Sequence, residues 1–295
     1  MTWCRVRSSA RPLRASGALY AADIPIVALT SAEISLPSGP DASRVRDRIA
    51  ALADTVDLVG LTDNHAGQPR MSPLAAVALA REQGVATVVH ISCRDRNRLA
   101  LQSQVVGAAA LGSEGVLCLY GDPVEGVPRV KDLTATALIA EAKAWAAPRD
   151  LAVGAVVNPF APDIEREIRL LEKKVASGAD FLQTQMIFDV GAFREFLERA
   201  ADLLTGVRLY AGVALLRNER MADHARTLPG CLLPDATHRQ ISMGAGVELA
   251  TDLASELASI PGVDALHIFP LGGETDTGGV ASAFRAARGV PARRR

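Results

Sequence analysis

The chain has 295 residues, 49% of them hydrophobic and 22% charged, with a formal net charge of −1. That length and apolar content supply one large core, and the near-zero charge gives no footing for a nucleic-acid or membrane-surface partner. No apolar run reaches the ~18 residues of a membrane span. The four cysteines, Cys4, Cys93, Cys118 and Cys231, lack CxxC or metal-ligand spacing, so reduced, mostly buried thiols in a cytoplasmic protein are expected.

The first twenty residues carry four arginines and no acid, a composition shared by transit segments and solvated tails. Residues 1–24 are expected to be a flexible tail, 25–285 one barrel domain and 286–295 a basic tail. From residue 25, apolar runs alternate with helical patterns. "IPIVALTSAEI" leads to a helix over 41–53, and "VDLVGLT" to one over 72–84, with Ser72 as N-cap, Pro73 in the first turn and Gly84 as terminator. "ATVVHIS" precedes a helix over 98–111, "GVLCLYG" one over 135–146, "LAVGAVVN" one over 163–178 and "DFLQTQ" one over 190–204. "VRLYAGVAL" leads to a helix beginning near Asn218, and "LPGCLLPDATHRQISMGAG" adds a short helix before the last run, "VDALHIF". "PLGGETDTGG" after it reads as a phosphate-holding loop or a plain one.

Eight near-continuous apolar runs separated by helices describe parallel strands covered on both faces. An open doubly wound sheet and a closed (β/α)8 TIM barrel both fit. The count of eight, and the lack of GxGxxG after the first strand, favour the single-domain barrel.

In a barrel the reactive groups gather at the carboxyl ends of the strands. Those ends carry Glu33, then Thr62, Asp63 and Asn64, His90, Gly121 and Asp122, Asn158, then Gln183 and Gln185, and finally His267. A histidine at a strand end can be merely structural, and Asp95 and Asn97 can simply cap the third helix. Arg94, Arg96 and Arg98 are harder to dismiss, because positive charge at a helix start opposes the dipole and needs an anionic neighbour, whether carboxylate, loop or ligand. Gln183 and Gln185 share one face of their strand, so two inward amides need partners. No HxH, HExxH or GxSxG is present, so no metal site is expected and a serine triad has no support. Lys174 lies mid-helix, as a solvated residue or one reaching the rim.

Taken together and in order, "LTDN" and "RMS", "CRDRNR" and "LQS", "GD", "NPFAPD", "KKVASGADFLQTQ" and "FD", "AGV", "PG" and "PD", and "HI" resemble the methylenetetrahydrofolate reductase family, closest to its short, barrel-only members. The resemblance implies reduction of 5,10-methylenetetrahydrofolate to 5-methyltetrahydrofolate, FAD or FMN as cofactor, and NADH or NADPH as reductant, in one-carbon metabolism, with methionine biosynthesis and one-carbon catabolism both open as the pathway served. It implies that Glu33 is the acid that opens the folate ring, with burial expected to raise its pKa. Asp122 would stand beside pterin and flavin as a second catalytic carboxylate, and Gln185 would bond the pterin edge. Thr62, His90, Gly121, Asp122, Asn158, Glu167 and Lys174 would surround the cofactor, Glu167 and Lys174 sharing a helix face two turns apart. "ISLP" after Glu33, Tyr120 before Gly121, and Met221 and Ala225 in the seventh loop depart from the family pattern. Three alternatives stay open: a flavin-free reductase taking hydride directly from nicotinamide, a folate- or flavin-binding subunit dependent on a redox partner, and, on fold analogy alone, a barrel enzyme of unrelated specificity. A homo-oligomer is also open, and control by S-adenosylmethionine is not expected.

Overall fold

Eight short strands pair in parallel, each with the next, and the eighth returns to the first. They are β1 (Thr30–Ile34), β2 (Leu58–Leu61), β3 (Thr87–Ser92), β4 (Gly115–Leu119), β5 (Ala152–Val157), β6 (Phe181–Met186), β7 (Arg208–Ala214) and β8 (Ala265–Phe269). The computed structural model describes residues 28–122, 126–130, 132–228 and 230–292; Cys4, the expected N-terminal tail and the last three residues lie outside them. The barrel is single-domain, and its register sets Glu33 beside Gly60 and Ser31 beside His267.

The strands form because their runs are apolar on both faces, as a sheet wrapped by helices requires. Around them lie α1 (Ala42–Ala53), α2 (Pro73–Glu82), α3 (Arg98–Leu111), α4 (Ala135–Ala146), α5 (Ile164–Ala176), α6 (Val190–Ala200) and α7 (Glu219–Thr227). The expected extra helix is α8 (Asp235–Ser242). Two more go beyond expectation: α9 (Gly246–Ala258), and α10 (Thr277–Ala287), whose first turn takes in the glycines read as loop. Asp41, Asn97, Thr134, Asp163, Asp189 and Asn218 cap their helices through side-chain oxygens. Ser72 holds the N-cap position of α2 but its hydroxyl makes no capping bond, and Pro73 supplies the start. Phe193, Phe196 and Phe284, with Ile49, Leu52, Leu101 and Leu138, fill the layer between helices and strands. Leu58, Val88, Leu117, Phe181 and Tyr210 close the barrel floor.

The amino-terminal face is stitched by a repeated device. An aspartate stands immediately before β2, β6 and β8, and its carboxylate accepts backbone N–H groups at the start of the preceding strand. Asp57 takes Leu29 and Thr30 (3.0 Å each), Asp180 takes Val153 (2.8 Å) and Asp264 takes Leu209 (2.8 Å). Arg285 of α10 also pairs with Asp57, and Lys143 of α4 with Asp180 at 2.5 Å. These bonds satisfy strand-end donors that would otherwise be left without partners.

Candidate active site

Strand alternation turns Ser31 and Glu33 of β1, Gly60 of β2, His90 of β3, Gln183 of β6 and His267 of β8 into the barrel, above the apolar floor. Glu33 stands one pleat above Ser31, with its side chain 11% exposed. His267 lies between them: its Nδ1 is 2.8 Å from Ser31 Oγ and its Nε2 is 3.6 Å from Glu33 Oε2, just beyond hydrogen-bond length. Phe269 braces the imidazole edge-on, with ring centroids 4.7 Å apart. His90 is buried and its Nε2 has no hydrogen-bond partner among the described residues; it faces Gly60, where a Cβ would come within 3.1 Å.

These neighbours correct one expectation. Burial is the strongest single influence on the Glu33 carboxyl and pushes its pKa up, as anticipated. The close approach of His267 and, after it, the influence of His90 and His65 together outweigh it, and Glu33 sits below the ordinary value. Burial dominates at His90 itself and lowers its pKa to about 4, against the pull of Glu33. His90 is therefore neutral near pH 7, and His267 is the main neighbour lowering the Glu33 pKa.

At the exit of β3, each arginine has found an anion within the chain. Arg96 grips Asp63 with two bonds (2.5 and 2.9 Å), and Asp63 also accepts the Ser92 N–H at 2.9 Å. Arg94 pairs with Asp95 and holds the loop after β4 through Val127 O at 2.8 Å. Arg98 pairs with Glu141 of α4 and lies over Trp145. Of the neighbours left open for the cluster, carboxylates of the chain take the place, so it ties the β2 and β4 loops to α3, and Asn97 caps that helix through Ala100 N–H (3.0 Å).

Thr62 is buried and gives its hydroxyl to Ile34 O at 3.1 Å. The turn after β2 carries two non-glycine residues in left-handed conformation, Asn64 (φ 44°) and Ala66 (φ 57°). Such strain persists only where neighbours enforce it. Here the Arg70 N–H bonds Asn64 Oδ1 and the Ala66 N–H bonds Asp122 Oδ2, both at 3.0 Å. Asp122 is exposed at the mouth, and Gly121 before it (φ 98°) passes so close to Ser92 that a Cβ would lie 3.0 Å from that side chain.

Glu167 and Lys174 do share a face of α5: Glu167 accepts the Asn158 N–H at 3.1 Å, while Lys174 Nζ reaches Val156 O at 2.7 Å and Glu167 at 3.4 Å. Asn158 bonds the Phe160 N–H (3.0 Å) and abuts Gly230, where any Cβ would collide with its amide. Gln183 lines the interior; Gln185 stands at the mouth beside a register shift in β6, its Oε1 accepting the Met186 N–H at 2.9 Å. Ala225 is buried with Met186, Leu216, Leu233 and Phe269, so α7 meets the barrel through packing at that position. Sequence reading missed Ser31 and Gly60 and gave His267 no role. Period-two alternation from Glu33 would have found Ser31, whereas Gly60 becomes informative only once the strands are paired.

An inward carboxylate against two histidines, at the barrel face where this fold places its chemistry, defines a (β/α)8 barrel of enzyme type. The chain belongs to the methylenetetrahydrofolate reductase family, whose model matches residues 27–283. It is 24% identical over 204 residues to 5,10-methylenetetrahydrofolate reductase of Salmonella typhimurium, covering 64% of this chain and 66% of that one. It is 24% identical over 136 residues to methylenetetrahydrofolate reductase 1 of Schizosaccharomyces pombe, covering 44% of this chain but 23% of that longer protein. Those relatives are named as oxidoreductases. Among solved structures, a Clostridium thermocellum protein that binds two copies of 5-methyl-5,6,7,8-tetrahydrofolic acid superposes with a TM-score of 0.65 at 13% identity, covering 88% of this chain and 95% of that one. Tryptophan synthase from M. tuberculosis (TM-score 0.52, 15% identity, 88% and 93% covered) shares the fold alone. Among the described residues, no helix is long and apolar enough to cross a membrane.

Proposed function

We propose that this chain reduces 5,10-methylenetetrahydrofolate to 5-methyltetrahydrofolate, with NAD(P)H as reductant and a flavin, FAD or FMN, as carrier. The observation that carries the reading is the Glu33–His267–Ser31 array at the base of the mouth, in a chain of this family. Opening the five-membered ring of the substrate requires a proton at the departing nitrogen. Glu33 Oε2 and His267 Nε2, 3.6 Å apart, can hold that proton between them, while the Ser31 contact fixes the imidazole plane. Glu33 has a lowered pKa in the free protein, so the proton would reach it only once the folate has displaced the water around it. Gln185 and Asp122, both at the mouth, would bond the pterin edge and orient it over Glu33.

The half of the rim from β2 to β5 suits a flavin in its donor set. Asp122, Asn158 and the Glu167–Lys174 pair would offer hydrogen bonds to a ring edge, a polyol chain and a phosphate, and Gly121 lets the backbone before Asp122 pass close to Ser92. When bound, the flavin would accept two electrons from NAD(P)H and pass them to the folate one-carbon unit. His90 and Thr62 face inward and would stand beneath the cofactor rather than beside it. A second reading is direct hydride transfer from nicotinamide without flavin. Arg94, Arg96, Arg98 and Lys174 are each already paired with a carboxylate of the chain, so a dinucleotide of either kind would have to compete with those carboxylates for its pyrophosphate. Buried free Cys93 and Cys118 support a reducing, cytoplasmic setting.

The test is the visible spectrum of the purified protein, before and after anaerobic NADH and then NADPH. A flavin band that bleaches with one donor and recovers on adding methylenetetrahydrofolate supports the main reading. Folate reduction with no flavin band, even after incubation with FAD and FMN, transfers support to the second. Absence of folate reduction under both conditions refutes the proposal.

A further inference from the structure

We propose that the small space in the middle of the barrel holds one ordered water joining His90 to His267, and that His90 acts through this water as a positioning residue for the Glu33–His267 pair. The role rests on the function proposed for Glu33; the water site does not.

The space measures about 20 Å³ and is bounded by Ser31, Gly60, His90, Gln183 and His267 above the floor side chains. That is room for about one water molecule, and water occupies such voids where polar partners surround it. Two of those partners are otherwise unserved: the Nε2 atoms of His90 and His267 are fully enclosed and have no hydrogen-bond partner among the described residues. Buried ring nitrogens left this way are rare in folded proteins. Gly60 creates the opening. A Cβ on it would lie 3.1 Å from His90 Nε2 and 3.4 Å from the Glu33 Cβ, so this one missing methyl keeps the space open toward both residues.

The consequence for Glu33 runs through His267. Its Nδ1 is settled by Ser31, and its Nε2 lies beyond hydrogen-bond reach of Glu33. A water held by His90 would give Nε2 a defined partner and so decide which tautomer faces the carboxylate. His90 suits this task because it is neutral at working pH, offering a fixed nitrogen instead of a competing charge. The other ionisable groups acting on the pair are His65, from the turn after β2, and Asp63, which Arg96 already neutralises.

The first test is a high-resolution crystal structure of the unliganded full chain. Density for one water within about 3 Å of both Nε2 atoms is expected, and an empty space overturns the proposal. The second is ¹⁵N NMR titration of the His267 ring in wild type, His90→Gln, His90→Leu and Gly60→Ala, without substrate or cofactor. His90→Gln retains a polar atom for the water and should leave the His267 midpoint and tautomer unchanged. His90→Leu, and Gly60→Ala with His90 intact, should each move the midpoint by at least about half a pH unit. Superimposable titrations overturn the positioning role. If His90→Leu does not fold, Gly60→Ala and the wild-type map still decide. Neither readout depends on turnover, so a protein that holds the water but does not reduce folate would refute the function and not the site.

Discussion

Replacing Arg96 with leucine tests whether the polar cluster after β3 is structural. Asp63 is 2% exposed and Arg96 18%, and they meet through two parallel hydrogen bonds. Removing one partner of such a pair strands a buried charge, at a cost of about 3–5 kcal/mol. Asp63 retains the Ser92 N–H, and water can follow the vacated side chain from the rim, so the lower end applies, roughly 3 kcal/mol. For a chain of this length that is a fall in Tm of about 6 °C, taking about 2 °C per kcal/mol. Urea unfolding followed by circular dichroism, with calorimetry alongside, measures both. Asp63→Leu with Arg96→Leu removes the stranded charge and should recover most of the loss, giving a coupling of about 2 kcal/mol or more in the cycle. A single-variant loss below about 1 kcal/mol, the range of exposed pairs, or strict additivity in the cycle, would refute the reasoning.

Glu33→Gln should lower methylenetetrahydrofolate reduction roughly 100-fold or more while leaving electron uptake from NAD(P)H nearly intact in stopped-flow traces; equal loss in both half-reactions excludes the acid role. Between pH 6.5 and about 4 the unfolded chain binds a proton at His90 that the native state refuses, so stability should be complete above pH 6.5 and fall with acidification by up to about 1.4 kcal/mol per pH unit. Glu33, lowered in the native state, adds its own loss only below its ordinary value of 4.5. Urea midpoints measured across that range for wild type and His90→Leu should show a shallower slope in the variant, and parallel curves would contradict it. Asp264→Ala leaves the Leu209 N–H at the barrel floor without its acceptor and should cost about 1–3 kcal/mol, measured by the same unfolding, with little change in any rate measured at the opposite face. Gly246→Ala places a Cβ 1.8 Å from Leu216 O, so α9 must shift, and a loss of about 1–3 kcal/mol is expected from the urea midpoint.

Much of the fold was legible because its determinants are local. The strands are short apolar runs, and α3 and α4 begin and end where periodicity and caps place them. α9 was missed although Val247, Ala250, Leu253, Ala254 and Leu257 recur at helical spacing, because a third helix between consecutive strands departs from simple alternation. α10 was hidden by Gly278 and Gly279, which weaken helix propensity; Gly278 sits close against Thr55, where a side chain would crowd the contact. At the site, the positions of Glu33, His90 and His267 followed from strand ends, but the ionisation of Glu33 did not. Burial is visible in a hydrophobic run, whereas the compensating histidine arrives from a strand 234 residues away and is adjacent only because the barrel closes.

The two faces of the barrel show why this boundary falls where it does. At the amino-terminal face one device recurs, an aspartate just before the strand in Val56-Asp57-Leu58, Ala179-Asp180-Phe181 and Val263-Asp264-Ala265, and each carboxylate meets the neighbouring strand's first N–H groups. The geometry is nearly the same each time because parallel strands start in similar register, so a short local pattern carries the interaction. At the carboxyl-terminal face no two polar residues are engaged alike. Asp63 is held by Arg96, Asp122 by a strained turn, Glu167 by a lysine and a loop amide, and Glu33 by a histidine across the barrel seam. Each of those partners lies on a different element, so the sequence can announce that polar groups converge without announcing which ones pair. Repetition marks the face that holds the barrel closed, and its absence marks the face where individual side chains have separate tasks.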